Sequence, residues 1–154
     1  MAAPLYFEDF AVGQMFAYGD HLLTEAEIID FAREYDPQPM HTDPAAAKTG
    51  LLGGLVASGW YLCALAMRLT VDALFGRVAN LGSPGVEEIQ WRRPARSGDR
   101  LHMRTEVLET STTASRPDRG FVKFRFEMLR DDERVMMFVS TAMFCRRPDS
   151  ARAA

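Results

Sequence analysis

Hydrophobic residues in the first half of the chain follow two helical patterns. The first pattern follows Thr24, which with Glu27 three residues later forms a capping-box sequence, a signal for the start of a helix. Its hydrophobic positions recur every three or four residues and are Ile28, Phe31, Ala32 and Tyr35. The second pattern runs from Gly59 to about Val78 and is hydrophobic on nearly every side. The two patterns therefore predict one amphipathic helix and one long, buried helix.

Short segments with strand character make up most of the second half, where hydrophobic and polar residues alternate. The segments predicted to be strands are 15–23, 85–91, 101–107, 122–128 and 135–144. The last of these is hydrophobic on both faces, so we expect it to be a central or interface strand. Residues 110–119 are polar and are predicted to form a loop. One long buried helix followed by antiparallel strands is typical of the α+β class.

Length and composition indicate a single globular domain. A chain of 154 residues is long enough for one core but too short for two ordinary domains. We place the domain at residues 1–146 and expect a disordered tail at 147–154. The longest hydrophobic stretch, 62–75, contains Arg68 and Asp72, so we do not expect it to cross a membrane. No export signal is visible at the start of the sequence, which favours a cytoplasmic protein.

Charge and the distribution of metal-binding residues narrow the possible partners. The formal net charge of −3 argues against a nucleic-acid partner, because phosphate binding requires a basic surface. The three histidines are scattered, and Cys63 and Cys145 are far apart in sequence, so no metal-site spacing appears. We therefore expect neither a metal ion nor a redox cofactor.

The segment from Asp36 to His41 carries the most informative chemistry in the chain. A carboxylate and an imidazole lie five residues apart on a loop with prolines at 37, 39 and 44. Proline restricts its own backbone and that of the preceding residue, so such a loop can hold two side chains at a fixed separation. Acid–base catalysis needs a pair of this kind. On spacing alone a second interpretation stays open, in which Asp36 caps the preceding helix and His41 is an ordinary loop histidine.

The start of the long helix is the second candidate for chemistry. A helix N-terminus presents unpaired backbone N–H groups and a partial positive charge. Gly59 lies at that position, and a glycine allows a substrate carbonyl to approach the N–H without a side chain in the way. The alternative is that Ser58 simply caps the helix while Gly59 eases its packing.

These segments resemble the active-site signature of the MaoC-like hydratases and dehydratases, the (R)-specific enoyl-CoA hydratase group of the hotdog superfamily. The family pattern is Asp-x-Asn-Pro-x-His, followed by Asp-Pro, small residues, a glycine-rich turn and a long hydrophobic helix. The matching segments here are Asp36-Pro37-Gln38-Pro39-Met40-His41, Asp43-Pro44, Ala45-Ala46-Ala47, Gly50-Leu51-Leu52-Gly53-Gly54 and Ser58-Gly59-Trp60. Gln38 departs from the pattern, since the family usually has Asn at that position.

The resemblance implies a hotdog fold, in which a curved antiparallel sheet wraps around a central helix. It also implies reversible addition of water to a trans-2-enoyl thioester, giving a (R)-3-hydroxyacyl thioester. Asp36 and His41 would activate the water, and the backbone amide of Gly59 would serve as the oxyanion hole. Proteins that resemble this one are at least dimers, so we expect a homodimer or a higher homo-oligomer with acyl-CoA as its substrate.

Further residues are expected to bind that substrate. Gln38, Ser58 and Trp60 lie near the presumed acyl site, and Arg92 and Arg93 are placed to contact the phosphates of coenzyme A. Two other functions remain open at this point. One is thioester hydrolysis on the same fold, and the other is a non-catalytic subunit that binds acyl groups for an active partner.

Overall fold

A computed structural model of the protein describes residues 3–148. Between these limits the chain forms five strands and four helices, with single-turn 3₁₀ helices at Phe7–Asp9 and Phe75–Arg77. The strands are β1 (Met15–Leu22), β2 (Asn80–Trp91), β3 (Arg100–Thr112), β4 (Arg119–Arg130) and β5 (Glu133–Cys145). The helices are α1 (Glu25–Tyr35), α2 (Pro39–Thr42), α3 (Pro44–Lys48) and α4 (Gly59–Ala73).

The five strands form one antiparallel sheet in the order β1-β3-β4-β5-β2. Alternate residues of the central strands point to one face, where they bury a core against α4. The largest side chains of this face are Met103, Phe124, Phe126, Met128, Met136, Phe138 and Phe144. The arrangement confirms the predicted α+β class and the hotdog fold. It also confirms β5 as a central strand, since β5 pairs with both β4 and β2.

The long helix ends earlier than its hydrophobic pattern predicts. It stops at Ala73, because Leu74 leaves the helical region at φ −130° and ψ −63° and the chain turns into the second 3₁₀ helix. In that turn Gly76 passes so close to the carbonyl oxygen of Val71 that a Cβ would lie 2.7 Å from it. A side chain other than hydrogen therefore does not fit, and the turn depends on this glycine.

Four of the five strands are longer than predicted, and the longest extensions are at the start of β2 and at the end of β3. β2 begins at Asn80, five residues before the predicted start, and its pairing with β5 is irregular around Gly82 and Gly85. β3 continues to Thr112, which pairs with Gly120 of β4, so the predicted polar loop is shorter than 110–119. Pairing with a neighbouring strand therefore overrides the polar composition of these ends.

The prediction that the long helix is buried holds for only part of the surface of α4. One side of the helix carries Trp60, Met67 and Val71, whose relative exposures are 57%, 43% and 41%. The adjacent edge strand β2 adds Val86 and Trp91 to the same exposed hydrophobic surface, at 52% and 45%. Clustered exposed hydrophobic side chains of this kind are typical of a surface that contacts a partner.

The C-terminal residues are only partly described. Arg147 donates to both carboxylate oxygens of Asp9, at 2.7 and 2.8 Å, and its backbone N–H donates to Glu8. The rest of the tail predicted at 147–154 lies outside the described residues from position 149 onward. None of the helices between residues 3 and 148 combines the length and the hydrophobicity that a bilayer-spanning segment requires.

Candidate active site

Asp36 lies where α1 ends. Its backbone N–H donates to Ala32 O at 2.9 Å, which is the last helical bond of α1. Pro37 follows, and because the residue before a proline is disfavoured in the helical region, Asp36 adopts φ −150° and ψ 65°. The sequence thus ends α1 at Asp36 and leads the backbone from there into the following loop.

Two neighbouring side chains hold the carboxylate of Asp36. The hydroxyl of Ser58 donates to Asp36 Oδ2 at 2.6 Å, and the amide of Gln38 donates to Asp36 Oδ1 at 2.7 Å. The hydrogen bond from Ser58 and then that from Gln38 lower the pKa of Asp36 most. Burial opposes them with a smaller effect, and the nearby His41 lowers the pKa slightly further. Asp36 is therefore a carboxylate at neutral pH and accepts hydrogen bonds.

His41 lies on α2, a single turn that begins at Pro39. Pro at the first position of a helix is favourable because its missing N–H would have no helical partner. The imidazole is buried, and its Nδ1 lies 2.7 Å from the carbonyl oxygen of Val56. Since a carbonyl oxygen can only accept, Nδ1 carries the hydrogen, and in the neutral ring Nε2 is left as an acceptor.

The two side chains converge as the sequence predicts. Asp36 Oδ2 and His41 Nε2 lie 3.4 Å apart. A carboxylate oxygen and an unprotonated Nε2 both accept hydrogen bonds, so they do not bond to each other in that state. A water molecule has two hydrogens and can donate one to each of them. The pair is therefore arranged to bind and polarise one water.

The pair opens into a cavity of about 390 Å³ between the helical segment and the end of β2. Its walls include six of the predicted site residues, namely Asp36, His41, Gly59, Trp60, Arg92 and Arg93. The other walls are mostly hydrophobic and are formed by Met40, Leu52, Val56, Ala57, Leu62, Trp91, Pro94 and Ala95. Ser58 and Gln38, predicted to touch substrate, reach the site through their hydrogen bonds to Asp36. Their contact with a substrate stays a prediction.

Gly59 is the first residue of α4, and the structure gives a second reason for a glycine there. The indole of Trp91 lies on its Cα, so that a Cβ would be 2.6 Å from Trp91 Nε1. The same Nε1–H donates to Gly59 O at 3.0 Å. Within residues 3–148 no acceptor takes the N–H of Gly59, which lines the cavity. That amide is available to a ligand.

Trp91 was not identified from the sequence. Its contact with Gly59 joins residues 32 positions apart, and no local pattern marks such a contact. Trp91 also meets Trp60 edge-on, with ring centroids 5.3 Å apart at 76°. The two indoles therefore form one wall of the cavity, and Trp91 connects β2 to the start of α4.

The arginines around the turn after β2 separate into two groups. Arg92 and Arg93 line the cavity, and Arg93 also pairs with Glu133 at 3.0 Å. Arg96 instead donates to Leu52 O at 2.5 Å. Arg100 pairs with Asp20. Only the first group is placed to meet a ligand in the cavity.

The remaining histidines lie apart from this site. His102 is half-buried on β3, and His21 pairs with Glu27, a partner that the sequence did not suggest. Among the residues that the structure describes, no three His, Cys, Asp or Glu side chains converge as metal ligands do.

Comparisons with known proteins bear on the family and the fold of this chain. The family model of the MaoC like domain matches residues 10–120. Protein YdeM of Bacillus subtilis (strain 168), which is uncharacterized, is 28% identical over 102 residues, or 66% of this chain and 72% of that protein. The MaoC-like dehydratase of Rhodospirillum rubrum has a TM-score of 0.83 at 40% identity, covering 94% of this chain and 99% of that one.

A more distant structure supports the fold alone. The R-hydratase PhaJ1 of Pseudomonas aeruginosa has a TM-score of 0.72 at 22% identity, covering 94% of this chain and 88% of that one. The matched family model includes the whole segment from Asp36 to Gly59, which contains the Asp36–His41 pair and the backbone amide of Gly59. The chain belongs to the family of MaoC-like dehydratase domains.

Proposed function

We propose that this protein is a hydratase/dehydratase that adds water reversibly to a trans-2-enoyl thioester of coenzyme A and forms the (R)-3-hydroxyacyl thioester. The observation that carries the proposal is the pair of acceptors Asp36 Oδ2 and His41 Nε2, 3.4 Å apart at one wall of a mostly hydrophobic cavity. The resemblance to the Rhodospirillum rubrum MaoC-like dehydratase supports the same reaction class.

In the proposed reaction the pair holds one water by its two hydrogens. The oxygen of that water bonds to Cβ of the enoyl group as its proton passes to the pair. Electrons of the double bond move to the thioester oxygen, and the pair returns a proton to Cα when the enolate collapses. Because the water and the returned proton come from one place, both new bonds form on the same face. The reverse sequence is dehydration.

The amide of Gly59 is proposed to stabilise the enolate oxygen. It is the first N–H of α4, where the positive end of the helix dipole adds to the hydrogen bond. Gly59 lines the cavity, and its N–H has no acceptor among residues 3–148. No metal ion or cofactor takes part in the proposed mechanism.

The cationic side of the cavity is proposed to receive the phosphates of coenzyme A. Arg92 and Arg93 are exposed and follow directly after Trp91 at the cavity wall. Arginine binds phosphate oxygens through two parallel N–H groups.

We further propose that the protein is a cytoplasmic homodimer. The outer edge of β2 has no strand neighbour within the described range, so its backbone groups are available for pairing. The exposed hydrophobic residues of α4 and β2 lie beside that edge, and a second copy would cover both.

The test is loss of the conjugated enoyl absorbance when 2-enoyl-CoA substrates of increasing chain length are supplied, with chiral analysis of the product. Asp36→Asn and His41→Ala should each lower kcat by about 10²–10⁴-fold, the usual contribution of general acid–base groups. Asp72→Asn and His102→Ala make the same chemical changes away from the cavity and serve as controls. If Asp36→Asn hydrated enoyl-CoA as fast as the wild-type protein, the proposed catalytic role of the Asp36–His41 pair, the dyad, would be refuted. Release of free thiol would indicate a thioesterase, and binding without turnover a non-catalytic subunit.

A further inference from the structure

A second group of titratable side chains lies outside the cavity, where β1, α1 and α4 meet. The carboxylate of Glu27 accepts from His21 Nε2 at 2.5 Å and from the hydroxyl of Thr24 at 2.6 Å. It also accepts from the backbone N–H of Thr24 at 3.0 Å and from the hydroxyl of Tyr61. One carboxylate therefore connects a strand, the start of one helix and the first turn of another.

The donors around Glu27 keep it ionised. Burial alone would raise the pKa of Glu27, but hydrogen bonds from Thr24, Tyr61 and His21 outweigh that effect and lower it to about 2. Burial and the nearby carboxylate raise the pKa of Tyr61 above its ordinary value. The proton therefore stays on the tyrosine, and Tyr61 makes a charge-assisted hydrogen bond to Glu27 at neutral pH.

Few other contacts hold α1 against α4. The buried side chains of α1 are Ile28 and Ala32, while the half-buried ring of Phe31 lies 5.2 Å from the ring of Tyr61. Ser58 and Tyr61 are three residues apart in sequence and lie on the same face of the helix start. Two hydrogen bonds therefore connect α1 to the start of α4. The bond from Tyr61 to Glu27 lies near the beginning of α1, and the bond from Ser58 to Asp36 lies at the end of α1.

The two members of the dyad have different supports. Asp36 is carried by α1, whereas His41 is tied to the carbonyl of Val56 in the segment that leads into α4. His41 also follows Asp36 by only five residues, on α2, which packs against α1. Their 3.4 Å separation therefore depends in part on this connection and in part on where α1 lies against the start of α4. A displacement near 1 Å at such a site can cost about 10²-fold in rate.

We propose that the hydrogen bond from Tyr61 to Glu27 is a positioning contact for the dyad. By fixing α1 on the first turn of α4, it maintains the short bond between Ser58 and Asp36 and the distance from Asp36 to His41. The catalytic consequence rests on the proposed hydratase function, but the effect on Asp36 does not.

The test uses Tyr61→Phe, which removes one hydroxyl and leaves the ring against Phe31. The pKa of Asp36, followed by the ¹³C NMR signal of its carboxyl group, should rise toward its ordinary value as the Ser58 bond weakens. With enoyl-CoA, kcat should fall about tenfold while KM stays within about twofold, because the loss is in positioning and not in binding. Glu27→Ala should have the same effects, and Glu27→Gln, which keeps an acceptor oxygen, should restore most of kcat.

Tyr18→Phe is the matched control. It also removes a tyrosine hydroxyl that contacts α4, with 2.8 Å bonds to Thr70 and Thr105, but at the far end of the helix from the dyad. This variant should lower thermal stability without changing the pKa of Asp36. An unchanged Asp36 pKa in Tyr61→Phe, or an equal change in Tyr18→Phe, would overturn the proposal. If the wild-type protein hydrates no enoyl thioester, the proposed function fails, and the NMR result still decides the positioning contact.

Discussion

The hydroxyl of Ser58 donates a 2.6 Å hydrogen bond to Asp36 Oδ2, and this bond joins the N-cap of α4 to the C-cap of α1. The hydroxyl oxygen of Ser58 also accepts from the N–H of Trp60 at 3.2 Å. Ser58 is fully buried, so water cannot replace either bond. One side chain therefore starts the helix that carries Gly59 and stabilises the negative charge of Asp36.

Ser58→Ala should raise the pKa of Asp36, because the Ser58 bond is the largest of the effects that lower it. A lowered pKa in the folded state stabilises the protein above the ordinary pKa of the carboxyl and ceases to do so as pH falls through the folded value. The variant should thus lose part of this pH-dependent stability. In the pH profile of kcat/KM for this variant, the fall on the acid side should move to higher pH. Carboxyl NMR and a pH–rate profile measure the two effects.

Capping and catalysis can be separated at this position. Ser58→Ala also removes a helix cap and should cost about 1 kcal/mol of unfolding free energy, while Ser58→Gly should cost only a few tenths. Both remove the bond to Asp36, so both should shift its pKa alike. Ser140→Ala, at a buried serine that donates to Gly85 O, should leave the Asp36 pKa unchanged. If the pKa followed stability across the three variants, the direct effect of Ser58 would be excluded.

Gln38→Glu should be more harmful than Gln38→Ala. The Gln38 amide donates to Asp36 Oδ1 at 2.7 Å, and an isosteric carboxylate would replace that donor with a like charge. Two adjacent carboxylates cannot both ionise easily, so the pKa of Asp36 should rise strongly. We expect kcat/KM at neutral pH to fall about tenfold or more for Gln38→Glu and less for Gln38→Ala. Gln14→Glu, whose side chain accepts from Ala11 N, is the control, and an equal loss there would contradict the argument.

Much of the site was predictable because its residues are close in sequence. The capping box at Thr24 and Glu27 sets the start of α1, and Asp36-Pro37 sets its end, as their local chemistry predicts. Asp43, followed by Pro44, has the residue types of a helix start, and its side chain accepts from Ala45 N and Ala46 N of the short helix α3. These features need no knowledge of the tertiary structure.

The contacts that could not be predicted join distant parts of the chain. Trp91 lies on Gly59 across 32 positions, and Tyr61 reaches Glu27 across 34. Nothing in either local pattern indicates the partner, since the sheet order and the position of α1 decide it. The exposed side of α4 escaped prediction for a similar reason. Hydrophobicity alone does not distinguish a residue that is buried in the core of the chain from one that is exposed on its surface.

Val86→Lys should prevent formation of the proposed homodimer. Val86 is 52% exposed on the edge strand β2, beside the exposed side of α4, and a charge placed there would have to be buried in a dimer without a partner. We expect light scattering to show a monomer, and circular dichroism to show unchanged secondary structure. Val12→Lys changes a valine that is 64% exposed outside the sheet and should leave the assembly intact. A dimer that persists in Val86→Lys would place the interface elsewhere.

Gly59→Ala should clash with Trp91 and not with the helix. The added Cβ would lie 2.6 Å from Trp91 Nε1 and 2.8 Å from Cδ2, so overpacking should cost about 1–3 kcal/mol of unfolding free energy. In a Trp91→Ala background the clash is gone, and alanine, a better helix former than glycine by about 1 kcal/mol, should no longer destabilise the protein. A double-mutant cycle from urea denaturation measures this coupling.

Because alanine keeps the backbone N–H, kcat of the double variant should match that of Trp91→Ala if the amide alone serves the thioester. A further fall in kcat in the double variant would mean that the glycine is also needed for the thioester to approach the N–H.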